Sequence, residues 1–215
     1  MATRTVLDVI RLPRATEPAK PVALATTGSF LLLAMAACSS APETPAQATL
    51  ESSSASTSTA RSVPKVSNPL DATKYEQNPC ALLSQAQATE LINAVRNRQA
   101  AGAVAPICSW YDADGNRIGL GLLPRQGGLA SAYQHQDSQS GYFEAIPGIN
   151  GYPAVLSGTT DSRKIGGCQA IVGIADDEAF TSSILLQPPS PLYQDPCSLA
   201  VKTAAAAITT IKDGA

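Results

Sequence analysis

The chain has 215 residues, with 15 Lys and Arg against 17 Asp and Glu and a formal net charge of −2. With no surplus of positive charge it offers no basic stripe to neutralise a row of phosphates, which argues against nucleic acid as a partner. A single histidine among five cysteines leaves little material for a metal centre, and no motif implies a cofactor.

In chain order, Arg4, Arg11, Arg14 and Lys20 precede an apolar run from Val22 to Ala37, as expected of a segment held on the cytoplasmic side during export. At about 16 residues the run falls short of the roughly 20 that cross the hydrocarbon core as a helix, and Thr26, Thr27, Gly28 and Ser29 dilute its first half. Met35-Ala36-Ala37-Cys38 closes it. Small side chains ahead of a cysteine suit a peptidase cleft and a lipid-accepting thiol. A diacylglycerol on Cys38, with a further acyl chain such as palmitate on the freed amine, anchors a protein where one chain would not. Residues 1–37 are therefore expected to be a lipoprotein signal peptide. The protein is expected to be lipid-anchored at the outer face of the cytoplasmic membrane, extracytoplasmic, with the membrane as a partner through Cys38.

Residues 38–77 are expected to form a flexible tether. Ser52-Ser53-Ser54, Ser56-Thr57-Ser58-Thr59 and the scattered Pro42, Pro45 and Pro64 dominate its first thirty or so positions, and such a composition cannot bury enough apolar surface to offset the entropy of ordering it.

Residues 78–215 are long enough for one domain with its own core. Asn78-Pro79-Cys80 and Asp195-Pro196-Cys197 each place a capping side chain before a proline at a first helical position, so each opens a helix. The first, with Leu82, Leu83, Leu91, Ile92 and Val95, is expected to end before Gly102. The last carries Leu199, Val201, Ala204, Ala205, Ile208 and Ile211 at helical spacing. Between them Cys108 to Tyr111 and Ile118 to Leu123 flank one turn-rich segment, and Gln169 to Ala175 and Ala179 to Leu186 flank another, which predicts two hairpins. A short helix is expected from Leu129 to His135. Ile149 to Leu156, broken by Gly151 and Pro153, is expected to be an edge or bulged strand. The fold class is α+β: an antiparallel sheet packed by an N-terminal and a C-terminal helix and held by two disulfides.

Cys80, Cys108, Cys168 and Cys197 supply those disulfides, since an even number of thiols in an exported chain reads as bridges. Three pairings exist. Joining each helix-opening cysteine to the nearest strand-opening one gives Cys80 with Cys108 and Cys168 with Cys197. A Cys80 to Cys197 bridge, tying the two helices together, is the alternative.

Asn-Pro-Cys-x-Leu-Leu at Asn78 to Leu83, Cys-x-Trp at Cys108 to Trp110, Gly-Tyr-Pro-Ala at Gly151 to Ala154, the cysteine at Cys168 and Asp-Pro-Cys-x-x-Ala at Asp195 to Ala200 occur in this order. Together they resemble the actinobacterial cell-envelope lipoproteins grouped as domain of unknown function number 3558. The resemblance implies an envelope lipoprotein and supplies no catalytic residues.

Few residues suggest chemistry directly. Asp112, Asp114 and Asn116 fit a hairpin turn better than a calcium loop, because the sixth and twelfth positions are Arg117 and Leu123 rather than glycine and glutamate. His135 has no nucleophile elbow in company. Trp110, Tyr142 and Tyr152 are the candidate ligand contacts, since aromatic faces stack on sugars and apolar groups. The pattern favours a binding or interaction domain over an envelope hydrolase or transferase, which would need a cleft gathering His135 with a carboxylate and a hydroxyl. A bare spacer would have neither cleft nor exposed patch.

Overall fold

The chain forms a seven-stranded antiparallel sheet from β1 (Arg96–Ala100), β2 (Ile107–Tyr111), β3 (Arg117–Leu123), β4 (Tyr142–Ile149), β5 (Tyr152–Gly158), β6 (Gly167–Gly173) and β7 (Ala179–Leu185), with apolar and small or polar side chains alternating along the central strands β3, β6 and β7. Its spatial order is β1-β2-β3-β7-β6-β5-β4. Two meanders, β1 to β3 and β4 to β7, thus meet along the β3–β7 pair. The structure is a computed structural model that describes residues 62–214; the signal segment 1–37, Cys38 and the tether up to residue 61 lie outside the described residues.

One face of the sheet is covered. Ile118, Leu120 and Leu122 on β3, Phe180 and Ile184 on β7, and Ala170 and Val172 on β6 point to it and are buried. Over them lies α4 (Pro196–Asp213), begun by Pro196 and by the Asp195 side chain, which accepts from the Ser198 N–H. Its Leu199, Ala200, Ala204, Ala207, Ile208 and Ile211 are buried. The alanines let the helix approach closely, and each fully buried Leu or Ile contributes about 1.5–3 kcal/mol. Buried Ser182 donates to the Ala200 carbonyl at 2.9 Å, whereas the buried Thr203 hydroxyl on α4 has no partner among the described residues.

The N-terminal helix differs from expectation. Instead of one helix running towards Gly102 there is a 3₁₀ turn at Pro79–Leu82, then α2 (Gln85–Ile92), then strand β1. Ser84 restarts the helix through a reciprocal capping box with Gln87, and Asn93, at φ 54°, ends it in the left-handed conformation. Val95 consequently faces solvent at 63% exposure. The Gln87 side chain donates to Thr210 Oγ1 at 3.2 Å, which docks α2 on the C-terminal helix.

Residues 70–77, grouped with the tether by composition, pack on the body. Leu70 N–H donates to the Ile174 carbonyl at 2.9 Å. Ala72 and Tyr75 are buried around α1 (Thr73–Glu76), and the Tyr75 hydroxyl reaches the Thr210 carbonyl at 3.0 Å. Ile149 to Leu156 is also not a single strand. It contains the turn between β4 and β5, where Asn150 and Gly151 take φ of 50° and 88°, and β4 rather than β5 is the edge, with a register shift between Ile146 and Ile149.

The disulfides join Cys80 to Cys108 across 28 residues and Cys168 to Cys197 across 29. The first staples the 3₁₀ turn to β2; the second staples β6 to the start of α4. Among the described residues no helix is long and apolar enough to cross a membrane.

Candidate functional site

Among the described residues the second face of the sheet has no long helix over it, and only α3 (Ala130–Gln134), the short helix between β3 and β4, covers part of it. Leu129, Ala132 and Tyr133 bury themselves against Val155, with Phe143 and Ile171 beside them, and the Tyr133 and Phe143 rings meet edge to face at 4.9 Å. Gly128 makes this approach possible. Its φ is 54°, and a Cβ there would lie 2.6 Å from the Asp176 carbonyl oxygen, so only glycine lets the loop pass so close to the β6–β7 turn.

Between α3 and strands β5 and β6 the partial cover leaves an open cleft of about 270 Å³. Ser131, His135, Ser138, Ser157, Thr159 and Gln169 line it with hydrogen-bonding groups, over an apolar floor that includes Ile171. His135 Nδ1 lies 2.7 Å from the Ser131 carbonyl oxygen. A carbonyl only accepts, so Nδ1 carries a proton, and the tautomer this selects has its lone pair on Nε2. Gln169 Nε2 donates to Ser183 Oγ at 2.9 Å, which fixes the amide plane. The cleft therefore combines donors and acceptors on fixed strands with one imidazole. No carboxylate lines it, and among the described residues no group of three His, Cys, Asp or Glu could hold a metal ion.

The three aromatic candidates lie elsewhere and apart. Trp110, on β2, is 3% exposed and Tyr152, on β5, is 5% exposed, both on the covered face and in the core. Buried rings of this kind pack the interior and do not meet a ligand from solvent. The Trp110 Nε1 donor is buried without a partner. Tyr142 is half-buried at the β4 edge, where its hydroxyl accepts from the Gln169 N–H at 2.7 Å and the Arg163 guanidinium stacks on its ring at 4.4 Å. Burial pushes its hydroxyl above the usual tyrosine range. None of the three lines the cleft. Apart from His135, the polar residues that do are single serines, a threonine and a glutamine, which carry no signal in sequence until the register aligns them.

A smaller opening of about 220 Å³ at the β2–β3 hairpin includes Asp112, Asp114 and Asn116. These residues make a turn. Asp112 Oδ1 accepts from the Asp114 and Asn116 N–H groups at 2.9 and 2.8 Å, Asp112 Oδ2 accepts from the Asn116 amide, and Asn116 Oδ1 accepts from the Gln187 N–H at 2.8 Å, so the oxygens of Asp112 and Asn116 are used to hold the hairpin.

Fold and cleft together define a two-disulfide domain with one face of an antiparallel sheet packed by a helix and the other left open. The chain belongs to the family described as "Protein of unknown function (DUF3558)", which matches residues 33–210. No curated protein and no solved structure matches it.

Proposed function

We propose that this protein is an envelope lipoprotein of the actinobacterial type, lipid-anchored through Cys38, whose extracytoplasmic domain binds an envelope component or a protein partner through the open face of its sheet. The observation that carries the binding half is the cleft beside α3. Fixed hydroxyl and amide groups over an apolar floor suit a neutral, hydroxyl-rich ligand. The location half rests on the Met35 to Cys38 junction and is supported by two bridges, which persist in oxidising compartments.

Fractionation and mass spectrometry test both halves. Cys38→Ala is expected to move the protein from the membrane to the soluble fraction; full retention after signal processing refutes the anchor. The native chain extracted in mild detergent is expected to carry a ligand that Ser157→Phe, which fills the cleft, excludes. Equal occupancy in the two proteins refutes the site.

One observation favours a second reading as a hydrolase or transferase. The His135 tautomer leaves Nε2 free to act as a base in a cleft that also holds hydroxyls. Under that reading His135→Ala keeps ligand binding and abolishes turnover of an envelope substrate.

A further inference from the structure

Beyond the cleft, the same open face carries a concentration of positive charge that the composition hides. Strand register places Arg96, Tyr111 and Arg117 side by side on β1, β2 and β3, and Arg98 beside Ser109 in the next row. The Arg96 guanidinium stacks over the Tyr111 ring at 4.3 Å. The Tyr111 hydroxyl is held below the usual tyrosine range, first by a hydrogen bond with Ser109 and then by the nearby charges of Arg117 and Arg98. Three guanidiniums thus gather around one phenol.

Nothing in the described residues neutralises them. The ion pairs there use Lys65, Arg125 and Arg163, and none involves these three arginines. Of the two carboxylates nearest in sequence to Arg117, Asp112 is turned into its own hairpin, where both oxygens accept from the backbone and side chain of that turn, and Asp114 makes no ion pair with any of the three arginines. The Arg117 Nε–H is buried and unpartnered. In a chain with formal net charge −2, three like charges gathered on one face without an ion-pair partner raise a local positive potential that attracts an anion.

The row through Arg98 continues across the sheet. Register aligns Arg98 with Ser109, Gly119, Ser183 and Gln169, and Gln169 is a wall of the cleft. Between the arginines and the cleft run only small or polar side chains. At about 4.8 Å per strand this path measures roughly 19 Å, the reach of several sugar units.

We propose that the open face binds an extended anionic glycan, a polysaccharide bearing phosphate or carboxylate groups, whose charges are taken by Arg96, Arg98 and Arg117 and whose hydroxyls enter the α3 cleft. The planar guanidiniums match the two-oxygen faces of such anions. A membrane surface fits less well. The chain leading towards Cys38 leaves from the β6–β7 turn, where Val66 N–H donates to Asp176, at the Ala179 end of β7. Arg117 pairs with Leu185 at the other end, about 20 Å along the strands. The proposal rests on the binding reading above for the part the cleft plays, and the arginine site stands on its own geometry.

The test uses the full-length chain immobilised on a sensor surface, with alginate and poly(glycerol phosphate) as anionic probes, dextran as the neutral one and phosphatidylglycerol vesicles as the membrane one. Either anionic polymer is expected to bind, with log K falling against log salt at a slope of about −2 to −3 for three neutralised charges. Arg96→Gln with Arg98→Gln, both exposed, is expected to weaken binding about tenfold or more, whereas Arg163→Gln, an arginine already paired with Asp161 and Glu144, leaves it unchanged. Lysine at positions 96 and 98 is expected to restore part of the affinity. Vesicle binding without polymer binding, or polymer binding indifferent to the arginine variants, overturns the proposal. If Ser157→Phe alone abolishes polymer binding the arginine site fails and the cleft stands; if polymer binding survives that variant and follows the arginines, the cleft's part fails.

Discussion

Replacing Cys168 and Cys197 together by alanine tests how the covered sheet face is held to its helix. The bridge closes a loop of 29 residues, and the chain-entropy relation for a loop of that length gives about 3.6 kcal/mol at 25 °C. For a domain of about 150 residues, with 2–4 °C per kcal/mol, the melting temperature is expected to fall by about 7–14 °C. Urea denaturation separates the causes. If the bridge acts on the unfolded chain, the unbridged protein exposes more surface on unfolding and its m-value rises. The Cys80→Ala, Cys108→Ala protein is the internal control, because its loop of 28 residues predicts the same loss to within a few tenths of a kcal/mol. A loss below about 1 kcal/mol for either pair, or losses differing by more than about 1 kcal/mol between them, refutes the entropic account and moves the energy into native packing.

Trp110→Ala removes a ring that is 3% exposed and is expected to cost about 3–5 kcal/mol in chemical denaturation, since its neighbours in the covered face cannot collapse into the space. Asn93→Ala puts an alanine at φ 54° and is expected to cost about 1 kcal/mol with no change in ligand binding. The Arg163 guanidinium beside Asp161 lowers its carboxyl to about 2. A depressed carboxylate stabilises the fold above its unfolded value and loses that contribution as the pH falls towards about 2, so Asp161→Asn is expected to be less stable than the parent at neutral pH and equal to it near pH 2, as read by melting curves across that window. His135→Ala is expected to change stability by less than about 0.5 kcal/mol, because the ring is exposed and bonds only to its own helix.

The C-terminal helix was legible from Asp195-Pro196 and its apolar spacing because cap, proline and periodicity agree there. The hairpins at Cys108 to Leu123 and at Gln169 to Leu186 were legible for the same reason, with turn residues between apolar alternations. The first strand was not. Arg96-Asn97-Arg98-Gln99 has no apolar side chain and becomes a strand only because β2 offers a free edge, a tertiary cause that composition cannot show. The apolar Leu82 to Val95 hid two interruptions, the Ser84–Gln87 cap and the left-handed Asn93, each of which needs only a local hydrogen bond to override a helical period. The binding surface was the least legible part. Ser157, Gln169, Arg98 and Arg117 are far apart in the chain, and the register alone sets them on one face, whereas the conspicuous aromatics Trp110 and Tyr152 were spent on the core.

Among the described residues the open sheet of seven strands ends in two unpaired edges, and an unpaired edge is a template on which a second copy can polymerise. Both ends of this one discourage it. At one, β1 presents Arg96 and Arg98, so two such strands brought together would set like charges against each other. At the other, β4 carries Pro147, which has no N–H to give, within the stretch where its register slips. Chains of this protein crowded side by side can therefore stay separate molecules at densities where a flat apolar edge would seed aggregates.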